Sequence, residues 1–515
     1  MRVLLVSPGQ PPSLYSMSET ADITGCAAFM PNIALPTLAA LAPDWVDVTM
    51  VDDHIDAIDS YLEQRWDVVG ITGYMTQRVR MFELAQAFRC RGQLVAIGGP
   101  YATLSSSTVR SHADILFTGE AEQTWPEFLA DFRAGSWKTE YRASNAVDLN
   151  TSPIPAMGGL RNEAYLAGIV QTSRGCPFEC EFCDVIVYLG RRQRYKTPER
   201  VIEELEQLYQ LGYRDILLAD DNFTAHRKQA KSILEAIRQW NRCKPERVVL
   251  ATQLSIDAAG DPELLDLAEE AGLRQAFIGI ETPSHEALRE AKKRQNVRAN
   301  LIPDIRMFQR RGIAVQAGIV TGFDADTKDS FRVLLEFLQE AGVPSVLANM
   351  LMAPEGTPLE RRLRAEHRLR TPDLQDGYTG TNIIPKQMTA RQLHYGTQWL
   401  LNKLYAPRGF LERVAVLAEH SPKAAGPVPW RSSRSVTIWQ NLLRAYEALG
   451  PELRRVPREA VRLFHGKDGT VLATALVFHI HNVRILQKQG LWDVALAELE
   501  APDFESLGEA DGLVV

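Results

Sequence analysis

The sequence predicts an α/β protein: two parallel-sheet units in tandem, then a mainly helical region. Three observations predict it. Short, nearly continuous apolar runs alternate with helical stretches in two separate series, the pattern of parallel strands covered on both faces. Between the series, ASNAVDLNTSPIPAMGGL at 143–160 carries prolines and paired glycines and no period of 2 or 3.6, so it reads as a linker. From about Thr371 the alternation stops.

The first unit spans 1–142, with strands expected at 2–8 (RVLLVSP), 46–53, 67–74, 93–100 and 113–120 and a helix at 80–92. It reads as a doubly wound sheet. Ligands of such sheets bind outside the carboxyl ends of the strands, which singles out the loops at 7–10, 72–77, 98–103 and 119–123. No G-x-G-x-x-G follows the first strand, which argues against a dinucleotide.

The second unit spans 161–370. Strands are expected at 168–175, 214–220, 247–253, 275–281, 313–322 and 345–352, with helices at 198–212, 226–241, 261–272, 301–312 and 329–342. Six β/α units in roughly 185 residues describe a partial (β/α)6 barrel, whose chemistry sits at the carboxyl ends of its strands. The remainder, 371–515, reads as helical, for example at 388–405 and 436–450. It either caps the barrel mouth and shapes a pocket or serves packing alone.

Composition narrows the function. Net charge is −7 in 515 residues, which gives no reason to expect nucleic acid as a partner. The opening MRVLLVSPGQPP reads as a strand, not a signal peptide, and no apolar run comes near the ~18 residues of a membrane span. Six cysteines are too few for a disulfide scaffold, so a cytoplasmic protein with reduced thiols is expected.

Three of those cysteines stand together. RGCPFECEFCD places Cys176, Cys180 and Cys183 in a C-x-x-x-C-x-x-C spacing directly after the first barrel strand. A structural zinc wants four ligands. The others, Cys26, Cys90 and Cys243, lie far away in the sequence, Cys243 at the end of an expected helix. Three core thiols would not be packed with Pro177, Glu179, Glu181 and Asp184. A [4Fe–4S] cluster suits better. It normally takes four cysteines, and with three, one iron keeps an open position for a substrate or cofactor.

With Phe182 before the last cysteine and a barrel strand ahead of the first, the stretch resembles the radical S-adenosylmethionine (SAM) superfamily. The resemblance implies that SAM chelates the open iron through its amino and carboxylate groups. One electron from the cluster then yields a 5′-deoxyadenosyl radical that abstracts hydrogen. LLADDNF, TQLSID, IGIETPS and IVTGFDADT at successive strand ends, and APEGTPL after the sixth, fit the same family. The resemblance places SAM contacts on Asp220, Asp221, Asn222, Gln253, Glu281 and Thr321, beside Phe182, although an acid at a barrel mouth also serves as a helix cap.

A doubly wound unit ahead of such a barrel is similar to the cobalamin-binding radical SAM enzymes. ITGYMTQ, AIGGPYAT and TGEAEQTWPEFL match that subfamily's strand-end motifs in order. The resemblance implies cobalamin contacts at Tyr74, Met75, Thr76 and Gln77 below cobalt, at Gly98 and Gly99, where a bare backbone approaches the corrin or its nucleotide tail, and at Gly119 and Glu120. A departure is Asp52-Asp53-His54-Ile55-Asp56, which lacks the glycine of the cobalt-ligating Asp-x-His-x-x-Gly motif. His54 is therefore read as a turn histidine. A flavodoxin-like domain, or one that has lost cobalamin, is the alternative.

GCPFECEFCDVIVYLGRRQRYKTPERVIEEL (175–205) and LLNKLYAPRGFLERV (400–414) are similar to the hopanoid and bacteriochlorophyll methylase-like branch. That resemblance implies methylation of an unactivated carbon of a small molecule, with methyl from methylcobalamin and electrons from an external flavodoxin- or ferredoxin-like donor. Cyclisation, rearrangement or SAM-fragment transfer without methyl transfer is the alternative reaction, and a scaffold with a degenerate cluster the non-enzymatic one. A product gaining one methylene unit distinguishes the first. The basic run at 191–196 reads either as an anion site or as a solvated face.

Overall fold

The computed structural model describes residues 1–14, 16–370, 380–423 and 433–507; the expected boundary at Thr371 lies outside the described residues. The first unit is a six-stranded sheet of β1 (Arg2–Ser7), β2 (Asp47–Asp52), β3 (Val68–Thr72), β4 (Val95–Gly98), β5 (Ile115–Thr118) and β6 (Glu140–Arg142), in the order β2-β1-β3-β4-β5-β6. All pairs are parallel. The order reverses between β1 and β3, so the loops after these two strands flank a crevice at the carboxyl edge. β6 is an addition to the expected five. Three residues carry no readable period; what fixes the strand is Tyr141, 2% exposed and stacked 5.2 Å from Phe117.

The second unit contains β7 (Gly168–Val170), β8 (Ser173–Arg174), β9 (Arg194–Tyr195), β10 (Asp215–Leu218), β11 (Val249–Leu254), β12 (Leu273–Glu281), β13 (Ala314–Thr321) and β14 (Ser345–Met350). Six of them form a parallel sheet in the order β14-β13-β12-β11-β10-β7, the partial barrel expected. The first strand is shorter than its pattern. Its expected span at 168–175 breaks after Val170, and β8 instead pairs antiparallel with β9, closing the neck of the cysteine loop between them.

Helices flank the strands as amphipathic layers. Those at Pro198–Gln210 and Pro262–Ala271 start on Thr197 and Asp261, whose side chains accept from Arg200 N and Leu264 N, each satisfying an otherwise orphaned donor.

The C-terminal region packs on the barrel's flank and floor. Helix Ala390–Tyr405 lies against β14 and helix Ser330–Ala341. Arg413, fully buried, donates to the carbonyls of Val343, Leu404 and Gly409. Helix Gly469–Lys488 sets Val471 and Ala475 beside Ala314, Val315 and Ser345, where β13 and β14 begin. It also holds the chain after β1: His481 Nε2 meets Ser13 O at 3.0 Å, and Arg484 pairs with Asp22 at 2.6 Å. The same region also reaches the carboxyl end of the barrel, where Thr397 meets Thr321 and Leu393 lies against Gly322. The 20-residue helix Gly469–Lys488 is long and apolar enough to cross a membrane, which the sequence reading overlooked. Here 72% of its most apolar window is buried inside the protein, and buried His479, His481 and Asn482 interrupt it.

Candidate active site

The cysteine loop is tied down at every turn. At the neck, the buried carboxylate of Asp220 accepts from Thr172 N at 2.7 Å, Ser173 N at 2.6 Å and the Thr172 hydroxyl. Asp221 accepts from Gly175 N at 2.9 Å. On the far side, Glu181 donates its N–H to Ala291 O, accepts from Leu359 N and ion-pairs with Arg362. Phe182 sits 6.2 Å from Phe323, ring to ring, in the apolar backing of the loop.

Burial pushes the Cys176 thiol up to about 11 and drives Cys180 and Cys183 upward as well. Burial thus keeps these thiols protonated in the absence of a cation, and coordination to a metal would deprotonate them. All six cysteines are free thiols. Cys243 is exposed and ends the helix Arg227–Arg242, which runs back from the carboxyl end of β10 to the start of β11. That places it at the opposite end of the barrel, so it completes no zinc site with the loop. The donor set of three fits a cluster with an open iron.

The remaining expected SAM contacts divide. The Asp221 side chain borders the cleft described below, and Gln253 is exposed. Burial lifts Asp220 and Asp221 to about 6, but Asp220 is spent on the neck. Asn222 donates to Ser255 Oγ at 3.1 Å, and its carbonyl accepts from Gln193. Glu281 pairs with the buried Lys293. Thr321 turns away: its hydroxyl meets Thr397 at 2.8 Å in the packing against helix Ala390–Tyr405.

A cleft of about 270 Å³ runs between the two units. From the first unit come Tyr74, Gly98, Gly99, Gly119 and Glu120; Arg174, Tyr188 and Asp221 face them from the barrel. Its inner recess is apolar, with Leu35, Phe117 and Trp125, and the Trp125 indole N–H is buried with no hydrogen-bond partner. The expected reason for the glycines changes. Gly99 has φ +95°, and a Cβ there would stand 2.3 Å from Thr72 Oγ1; at Gly119 it would stand 2.8 Å from Ala143 Cβ. Neighbouring chain leaves no room for a side chain at either position, and both glycines also line the cleft.

The four residues of the 74–77 turn separate. Tyr74 is 54% exposed. Met75 packs against the core beneath the turn, and the Thr76 hydroxyl is buried without a partner. Gln77 turns inward, accepting from Tyr74 N at 2.9 Å and donating to Pro8 O. His54 accepts from Gln10 N at 3.0 Å, and Asp53 holds Arg80 and Gly9 N. The Asp-Asp-His-Ile-Asp stretch is thus a lock on the loop after β1.

Glu120 is committed to the barrel. It accepts from Arg174 at 2.8 Å, Arg194 at 2.7 Å and Val147 N at 3.1 Å. Burial alone would raise its carboxyl, but Arg194 and Arg174 hold it below the ordinary range. The basic run at 191–196 is largely consumed in the same way: Arg194 here, Lys196 on buried Glu204, Arg191 on Glu179. Glu120→Gln leaves Arg194 short of a counter-charge, while Arg174 keeps Glu122 at 2.6 Å, and is expected to cost about 3 kcal/mol in chemical denaturation. Tyr188, Lys293 and Gln295 lie outside any periodic pattern in the sequence, and Arg174, inside the expected strand 168–175, gave no sign of its partners Glu120 and Glu122.

The family profile described as Radical SAM superfamily matches residues 170–338, and one described as a domain of unknown function (DUF4070) matches 357–452. An uncharacterized methyltransferase of Synechocystis is 34% identical over 424 residues, covering 80% of this chain and 78% of that protein. The hopanoid C-2 methylase of Rhodopseudomonas palustris is 30% identical over 428 residues, with 82% and 80% covered. Among solved structures, the methyltransferase TsrM of Kitasatospora setae, with tryptophan and a SAM analogue bound, aligns at TM-score 0.58 and 15% identity over 95% of this chain and 99% of that one. OxsB, with aqua-cobalamin and SAM bound, aligns at 0.60 and 15% over 95% and 79%. These two share the fold.

Proposed function

We propose methyl transfer to an unactivated carbon as the reaction of this chain, which belongs to the cobalamin-binding radical SAM methylases. The observation that carries the reading is a cleft with the strand ends of the first sheet on one wall and Arg174, Tyr188 and Asp221, which flank the cysteine loop, on the other. Two cofactors bound on those walls would face one substrate.

Cys176, Cys180 and Cys183 would hold a [4Fe–4S] cluster with one iron open to SAM; bound together, cluster, SAM and cobalamin supply radical formation and the methyl group. The protein's own residues do the positioning. Asp220 and Asp221 fix the loop's neck, Glu181 and Arg362 its far side, and Glu120 joins the sheet to it through Arg174 and Arg194. Gln253, exposed at the end of β11, is the strand-end side chain left open towards SAM, and Asp221 borders the cleft while holding Gly175 N. The apolar recess with its orphan Trp125 donor fits an aromatic heterocycle bearing an acceptor, as at the nucleotide end of cobalamin. Tyr74, Gly98, Gly99 and Gly119 border the path to it. Tyr188, whose phenol burial keeps protonated, excludes water between the two walls.

An external flavodoxin- or ferredoxin-like donor supplies electrons, since the loop's three cysteines serve one cluster. The reduced thiols fit a cytoplasmic location. The domain limits 1–142, 143–160, 161–370 and 371–515 stand as working boundaries.

The test is anaerobic reconstitution with iron, sulfide and cobalamin, then SAM and a reductant with candidate substrates. Bound cobalt, about four irons and a product heavier by one methylene unit support methyl transfer. Iron and 5′-deoxyadenosine without cobalt would favour cyclisation or rearrangement. Gly99→Val, which drives a side chain into Thr72, is expected to weaken cobalamin binding by more than about tenfold in equilibrium dialysis while iron content stays unchanged.

A further inference from the structure

Beside the cysteine loop, the end of β12 and the segment that follows helix His285–Glu290 bring a second group of side chains together. Lys293, 8% exposed, ion-pairs with Glu281. Its ammonium stands 5.9 Å from the ring centroid of Phe182, the residue preceding Cys183. Gln295 directs its amide Nε2 to Cys180 Sγ at 3.7 Å, while its Oε1 is buried without a partner.

This arrangement is built at a cost. Glu281 has φ +64°, in the left-handed region that a non-glycine residue occupies only under strain. The register with β13 slips at the same point. A Cβ on Gly279 would fall 2.4 Å from Glu281 Oε1 and 2.7 Å from Lys293 Nζ, so the pair occupies space that only glycine leaves. Asn296, fully buried, donates to the carbonyls of Gly279 and Ile280 at 2.9 Å each and pins the irregular strand end. Buried ion pairs add little net stability, so stability alone does not account for this construction.

The Lys293 ammonium and the Gln295 N–H both reach the cysteine loop, the first over the Phe182 ring and the second against Cys180 Sγ. We propose that Lys293 and Gln295 are positioning residues that raise the reduction potential of the cluster by setting a positive charge and an N–H donor against the cysteine loop. This rests on the reading of the cysteine loop as a [4Fe–4S] site. The physics is direct: one-electron reduction makes the cluster more negative, and nearby positive charge and N–H···S bonds favour the reduced form. The electron comes from dithionite in the test below and from the external one-electron donor in the cell.

The experiment is a redox titration of the anaerobically reconstituted full chain without SAM, followed by electron paramagnetic resonance. Lys293→Met is expected to lower the reduced-to-oxidised ratio at fixed potential at least tenfold, a shift of about 59 mV for one electron. Gln295→Leu shifts the midpoint the same way by less, and Lys293→Arg, which keeps the charge, stays near wild type. A fully loaded Lys293→Met with the wild-type midpoint overturns the proposal. If Lys293→Met takes up no iron, Gln295→Leu decides, and an unchanged midpoint there overturns it. A wild-type chain that forms no cluster sinks the loop reading and this inference together; failure of the inference alone leaves a wild-type cluster that titrates normally.

Discussion

Replacing Cys176, Cys180 and Cys183 together by alanine abolishes iron binding and brings reductant-dependent formation of 5′-deoxyadenosine from SAM down to background. Each single replacement does the same to product formation, because a cluster with two protein thiolates has lost the constellation that leaves one iron open to SAM. The fold survives. The loop is fastened by Asp220, Asp221, Glu181 and Phe182, none of which needs the thiols. Cobalamin binding therefore persists in the triple variant, since its recess belongs to the first sheet. Iron analysis, cobalamin dialysis and circular dichroism check the three parts separately. Full iron retention in the triple variant would refute the cluster assignment outright.

Asp220→Ala is expected to cost about 3–5 kcal/mol of stability and to cut iron loading, even in the absence of SAM. The carboxylate takes two backbone N–H groups and a hydroxyl in a fully buried place. Removing it orphans all three, at about 1–3 kcal/mol each before relaxation. The outcome separates two roles. A SAM contact would leave the SAM-free protein as stable as wild type and weaken only SAM affinity. A neck residue weakens the protein before SAM arrives, and Asp220→Asn, which keeps one acceptor, recovers part of the loss. Urea denaturation of the SAM-free protein decides between them; an unchanged midpoint of unfolding would return Asp220 to the SAM site.

How far residues can be read alone depends on the range of the forces that place them. The two parallel sheets were legible because a buried strand must be apolar along its length, and that constraint is local. β6 was not, since three residues carry no period and only the stacking of Tyr141 on Phe117 holds them. The first barrel strand looked longer than it is, because apolarity does not announce where the chain leaves the sheet to make a neck. The cysteine triad was legible because metal ligands on one loop keep their spacing in the sequence.

The partners of the carboxylates were hidden. Glu120, Asp220 and Glu281 all looked like groups waiting for a ligand. Arg174, Arg194 and Thr172 reach theirs only after the chain has folded across tens of residues, and Lys293 reaches Glu281 across a helix 12 residues on. Thr321 and Gln77 were hidden for the same reason, as backbone direction alone does not say which face a strand-end side chain takes.

The sequence by itself determined the class of fold, the order of the units and the three-cysteine loop, because periodicity and residue spacing are properties of adjacent residues. Only the tertiary structure decided which acids are free, which are spent on the fold, and that the flanks of the cysteine loop and the first sheet share one cleft. Those depend on charges and surfaces brought together from distant segments, where burial makes every unpaired group costly and so fixes its partner.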